Sequence, residues 1–94
     1  MNYEQEFQWD GSNIGHLARH DVSRVEAEEA IVDPNAILLE IQSESEERVK
    51  AVGATTSGRV LVVIFTWRGD AIRAITAYDA PVRAQKLYLE GEQI

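Results

Sequence analysis

The sequence predicts an α+β fold built on an antiparallel sheet, and three observations carry that expectation. Two helix starts with recognisable caps stand near the N-terminus, strand-like segments separated by turn residues follow, and a closing segment framed by Pro81 and Gly91 has helical character. A small antiparallel sheet of about four to five strands is expected, with two N-terminal helices and one C-terminal helix packed on one face and the other face left open.

Each element has its own reason. Phe7-Gln8-Trp9 has the short apolar–polar–apolar pattern of an edge strand. Asp10 or Ser12 can cap a helix running to about His20, with Ile14, Leu17 and Ala18 on one face at spacings of three and four. Ser23-Arg24-Val25-Glu26 is a capping box, in which hydroxyl and carboxylate satisfy each other's orphan amides, and Val22 is placed to pack on Ala27. That second helix should turn Val25, Ala30 and Ile31 inward and Glu28 and Glu29 outward, and stop before Asp33-Pro34, because a residue preceding proline avoids the helical region. Residues 36–41 are aliphatic enough for a strand, and Ser43-Glu44-Ser45-Glu46-Glu47 is a charged loop. Arg48-Val49-Lys50-Ala51-Val52 alternates like a strand with one solvated face. After the turn Thr55-Thr56-Ser57-Gly58, residues 59–67 contain an unbroken apolar run, the mark of a central strand buried on both sides. Arg68-Gly69-Asp70-Ala71 forms a tight hairpin turn into residues 72–78, since glycine supplies the positive φ such turns need. Closure on Gly69 and Asp70 places Arg73 opposite Thr66, projecting from the sheet. A last helix begins at Asp79 or Ala80, tolerates Pro81 in its first turn and ends at Gly91.

A chain of 94 residues, 45% hydrophobic and 27% charged, suits one core and a single domain over residues 1–94; at that size, self-association would add to its stability. The absence of cysteine excludes disulfides, thiolate metal sites and cysteine nucleophiles. No glycine-rich phosphate loop of the ATP or NAD kind is present, so no cofactor is expected. The N-terminus lacks the pattern of a signal peptide, and the apolar run of residues 60–65 is too short to span a bilayer, so the expected location is the cytoplasm, away from membranes. Charge is unevenly spread: residues 1–47 hold twelve acids against two bases (net −10), and residues 48–94 hold seven bases against four acids (net +3), within a total of −7. That asymmetry reads either as an acidic helix and loop simply solvated, the commoner case for glutamate-rich segments, or as a dipolar domain with a basic sheet face.

Candidate chemistry sits on two groups of residues. His16 and His20 share a helix face, but His-Leu-Ala-Arg-His lacks the glutamate of a metalloprotease helix and a third ligand, so no metal site is expected. His20, at the helix end where the dipole favours a cation, is the better candidate to exchange a proton. Arg48, Arg68 and Arg73, with Lys50 and Arg59 on neighbouring strands, form the second group; guanidinium groups fork onto phosphate oxygens and stabilise charge on a pentacovalent phosphate. On an amphipathic strand such cations also pair simply with carboxylates, here Glu46, Glu47 or Asp70. Of the aromatic residues, Trp67 and Tyr88 read as packing groups, and Tyr78 remains available to stack on an exposed base.

The ordered blocks Phe7-Gln8-Trp9-Asp10, Asn13, Ala18-Arg19-His20-Asp21-Val22-Ser23, Glu26-Ala27, Glu47-Arg48, Gly58-Arg59-Val60-Leu61-Val62-Val63, Phe65-Thr66-Trp67-Arg68, Ile72-Arg73-Ala74-Ile75-Thr76-Ala77 and Tyr88 resemble the BrnT toxin family over nearly the whole chain. The resemblance implies a RelE-like fold, a metal-independent ribonuclease activity that blocks translation, and neutralisation by a BrnA-like antitoxin with a ribbon-helix-helix part, through which DNA is engaged only indirectly. On this reading His20 moves a proton and Arg48, Arg68 and Arg73 hold and neutralise the phosphate, while Lys50, Arg59 and Tyr78 are expected from the residues themselves to bind RNA. The chain departs from the family's habit in that Asp21 stands where a glycine is common and Tyr78 where an arginine is common, the lysine often found early in the first helix is missing, and the net charge is acidic. The alternative is an inactive relative that keeps only the surface for docking an antitoxin or another protein.

Overall fold

The structure, a computed structural model, describes residues 5–42 and 46–91. In chain order it runs α1 (Gly11–Ala18), α2 (Arg24–Val32), β1 (Ile37–Ile41), β2 (Arg48–Ala54), β3 (Val60–Arg68), β4 (Ala71–Asp79) and α3 (Val82–Glu90). The strands form one antiparallel sheet in the order β1-β2-β3-β4. The expected edge strand at Phe7 is reduced to a single parallel bridge with Ile72, flanked by Gln8 N donating to Ile72 O and Ile72 N donating to Glu6 O. Among the described residues no helix is long and apolar enough to cross a membrane.

Both early helices start as their caps dictate. Asp10 accepts from the amides of Ser12 and Asn13, while Asn13 Oδ1 accepts from Asp10 N; Ser23 and Glu26 close the second box in the same way. Their inward faces differ from expectation. In α1 the buried residues are Asn13 and Leu17, whereas Ile14 and Ala18 are exposed. Asn13 Nδ2 donates to the carbonyls of Gln8 and Ala74, and these two bonds rotate the helix so that a polar side chain faces β4. In α2 the buried residues are Ala27, Ala30 and Ile31, and Val25 is 55% exposed. That small-residue face is needed because α2 lies almost on the backbone of β2: a Cβ at Gly53 would overlap the Ala30 carbonyl oxygen.

The sheet is covered on both faces, and the expectation that all helices share one face is overturned. Leu17, Ala27 and Ala30 pack with Ala51, Leu61, Val63, Phe65, Ile72, Ala74 and Ala77, one set of alternate strand residues. The opposite set, Val52, Val62, Ile64 and Tyr78, packs with Ala84 and Tyr88 of α3. Sandwiching β2 between α2 and α3 buries Ala51, Val52 and Gly53 in succession, which cancels the one-sided alternation expected of that strand. α3 starts at Val82, with Pro81 as its N-cap, and ends against Gly91. Asp33 fixes it there: its carboxylate accepts from the Tyr88 hydroxyl and from the amides of Ala54 and Asn35, so one side chain joins the end of α2, the end of β2 and α3.

Candidate functional site

α3 covers one end of its sheet face, and the uncovered end carries the cations. The pairings Lys50↔Ile64↔Thr76 and Thr66↔Arg73 set the register. With side chains alternating along each strand, Arg48, Lys50, Thr66, Arg68 and Arg73 stand on the face to which Val52, Val62 and Ile64 also belong. A shift of register between Ile64 and Phe65 accommodates the bulge in β4 that keeps Arg73 and Tyr78 on this face. Sequence spacing placed Arg73 opposite Thr66, and the two-residue turn at Gly69 (φ 64°) and Asp70 delivers that pairing.

Carboxylates hold the three arginines. Glu46 sits between two of them, with Oε1 2.9 Å from Arg68 Nη1 and Oε2 3.8 Å from Arg48 Nη2. The guanidinium of Arg73 turns to the β4 edge and donates to both carboxylate oxygens of Asp10, at 3.0 and 3.3 Å, and to Gln8 Oε1. That hydrogen bond, with the Asn13 amide, holds the Asp10 carboxyl below its ordinary value. Lys50 forms no ion pair among the described residues. Glu46 was one of three carboxylates open to these arginines from sequence; the role of Asp10, sixty-three residues from Arg73, had no local signal.

The other expected residues lie elsewhere. His20 is exposed in the turn after α1, its ring 6.1 Å from Tyr78 and edge-on to it, and 6.4 Å from His16. Tyr78 is half-buried in the cluster beneath α3. The pair therefore marks the covered end of the face, five residues along β4 from Arg73, or about 15 Å of strand. Arg59 is not gathered with the others: it lies on the α1–α2 side, donating to Asp79 (2.7 Å), Glu26 (3.1 Å) and the Asp21 carbonyl (2.8 Å). Its hydrogen bond lowers the Asp79 carboxyl, and the Ser23 amide followed by Arg59 lowers that of Glu26. Trp67, expected in the core, is 47% exposed on the opposite face with its ring edge-on to Phe65.

Four cations thus share the uncovered end of this face, a floor with an imidazole and a phenol at its covered end, and guanidinium and ammonium groups so placed can engage phosphates. No curated protein matches the chain. The family model described as "Ribonuclease toxin, BrnT, of type II toxin-antitoxin system" matches residues 9–83, a stretch containing every cation of the floor together with His20 and Tyr78. Because the match covers most of the chain, this chain belongs to the BrnT family of ribonuclease toxins of type II toxin–antitoxin systems.

Proposed function

We propose that this chain is a RelE-like, metal-independent ribonuclease that stops translation by cutting RNA, silenced by a BrnA-like ribbon-helix-helix antitoxin laid over its cationic face. The observation that carries the reading is the placement of Arg48, Lys50, Arg68 and Arg73 on one sheet face, toward the end that α3 leaves uncovered. A single RNA strand lies along that face, its phosphates held by the guanidinium groups and Lys50. The 2′-hydroxyl of one nucleotide attacks the adjacent phosphorus, the bond to the 5′-oxygen of the next nucleotide breaks, and a 2′,3′-cyclic phosphate remains. His20 takes the 2′-hydroxyl proton and returns it to the departing 5′-oxygen at the Tyr78 end of the face, while Arg73, about 15 Å along β4, and Arg48 and Arg68 on the neighbouring strands grip the flanking phosphates. DNA contact comes through the antitoxin alone.

Induced expression of the chain by itself in bacteria, with growth and bulk RNA scored, tests this. Growth arrest and RNA loss are expected, both relieved by Arg68→Ala, a partly exposed site whose truncation costs less than about 0.5 kcal/mol of stability. Purified protein should cut RNA equally well in chelator and leave cyclic phosphate ends. Healthy growth with intact RNA and a good yield of folded protein would replace this reading with the inactive docking module, which the internal carboxylate partners of Arg48, Arg68 and Arg73 favour.

A further inference from the structure

Arg48 and Arg68 stand on neighbouring strands of the same face, and one carboxylate reaches both of them. Two guanidinium groups converging on a single pair of oxygens have the form of an anion seat, since each fork presents parallel N–H donors to an oxygen pair. Glu46 fills the seat incompletely. Its contact with Arg68 is 2.9 Å and its contact with Arg48 only 3.8 Å. Arg48 Nε is buried and has no hydrogen-bond partner among the described residues. A carboxylate offers two oxygens; a phosphodiester brings two charge-bearing oxygens and two ester oxygens around a larger centre, enough to engage both forks and that orphan donor together.

The position of Glu46 suits a removable occupant. It lies in the loop between β1 and β2, two residues before the strand that carries Arg48. All three side chains are partly exposed, at 30% for Glu46, 37% for Arg48 and 43% for Arg68, so the pairing is screened by water and weak enough to exchange.

We infer that Arg48 and Arg68 form a phosphate seat and that Glu46 occupies it in the free protein as an internal competitor, which an RNA phosphodiester displaces on binding. The inference rests on the reading of this face as the RNA surface. Glu46 thereby sets how strongly the toxin holds RNA: the seat is shielded from weakly bound anions and opens to a polyanion that supplies several phosphates at once.

The test uses a single-stranded 2′-O-methyl oligoribonucleotide, which cannot be cut because the attacking hydroxyl is blocked, and measures its dissociation constant at 50 and 200 mM salt. The proteins compared are the parent chain, Glu46→Gln, Arg68→Ala and the double variant. Glu46→Gln should bind two- to five-fold more tightly and steepen the logarithmic salt dependence by about 0.7, one phosphate contact's worth on a single strand. Arg68→Ala should bind more weakly, and in its background Glu46→Gln should gain little, because the competitor acts through that arginine. Thermal melting of each variant confirms that folded protein is compared, and Glu46→Ala should reproduce the gain if the glutamine disturbs the loop. Unchanged or weaker binding by both Glu46 variants, with Arg68→Ala still impaired, overturns the inference and leaves the RNA face standing. Binding indifferent to Arg68 and Glu46 alike removes the RNA face and the inference with it.

Discussion

Asp21 is the one residue other than glycine with positive φ (58°) among the described residues, and it directly follows His20. An L-residue in the left-handed region is strained, though the short polar side chain of aspartate bears this better than most. Its backbone is held there by two bonds: Asp21 N donates to Ala18 O, and Asp21 O accepts from Arg59. Asp21→Gly should therefore stabilise the fold by about 0.5–1 kcal/mol, seen as a higher denaturant midpoint with an unchanged slope. A lower midpoint would show that the Asp21 side chain contributes more than its backbone strain removes. A second residue-scale expectation concerns Tyr88. Its hydrogen bond to Asp33, aided by burial, pushes the phenol up to about 12. With the folded value above the ordinary 10.0, the stability this contributes is complete below about pH 10 and is lost as pH rises toward 12. Asp33 behaves in the opposite sense. Burial pushes it up, but the bonds from Tyr88, Ala54 and Asn35 outweigh that and lower it, so its contribution is present above the ordinary carboxylate value and lost on acidification. Tyr88→Phe should flatten the alkaline limb of the stability curve; an unchanged limb would mean another group governs it.

At the scale of elements, the approach of α2 to β2 is the tightest constraint. Gly53→Ala drives a methyl into the Ala30 carbonyl, which is backbone and cannot rotate away, so helix and strand must separate. A loss of about 2–4 kcal/mol is expected, comparable to deleting a core side chain, and a thermal melt reads it directly. α3 is held differently. None of its residues is fully buried, and Val82, Leu87 and Leu89 are exposed, so its attachment depends on Ala84, Tyr88 and the Asp33 hydrogen bond. Amide hydrogen exchange should accordingly find α3 opening at lower free energy than β3, whose Leu61, Val62 and Val63 are buried on both faces. Equal protection in the two elements would contradict that order.

Across the whole molecule, the charge asymmetry of the sequence becomes a spatial one. α2 carries Glu26, Glu28 and Glu29 on one side of the sheet, while Arg48, Lys50, Arg68 and Arg73 share the other face with α3, which adds Arg83 and Lys86. A chain with net charge −7 thus turns a face rich in cations one way and its acidic side the other. Two to three phosphate contacts give a fall in affinity of roughly ten-fold between 50 and 200 mM salt. A flat salt response would mean that RNA, if bound at all, is bound by stacking. The core that supports this face is the β3 centre: Leu61→Ala, at a side chain with no exposed surface, should cost about 2–5 kcal/mol and abolish activity through unfolding, where Arg68→Ala abolishes it in folded protein.

What local chemistry governs, the sequence by itself determined: the caps at Asp10 and Ser23, the stop before Pro34, the apolar run of β3 and the two-residue turn that sets Arg73 opposite Thr66 are all decided by neighbours a few residues apart. The family blocks were legible for the same reason, since each lies within a short stretch of chain. Tertiary structure decided what depends on distant partners. Asn13 displaced Ile14 from the inner face because its amide found the Ala74 carbonyl, and α3 took the second sheet face because Asp33 and Tyr88 met across fifty-five residues. Arg59 left the cation group for Asp79 and Glu26, and Glu46 closed on Arg48 and Arg68. Long charged side chains reach any of several partners at similar cost in water, so only the folded geometry selects among them.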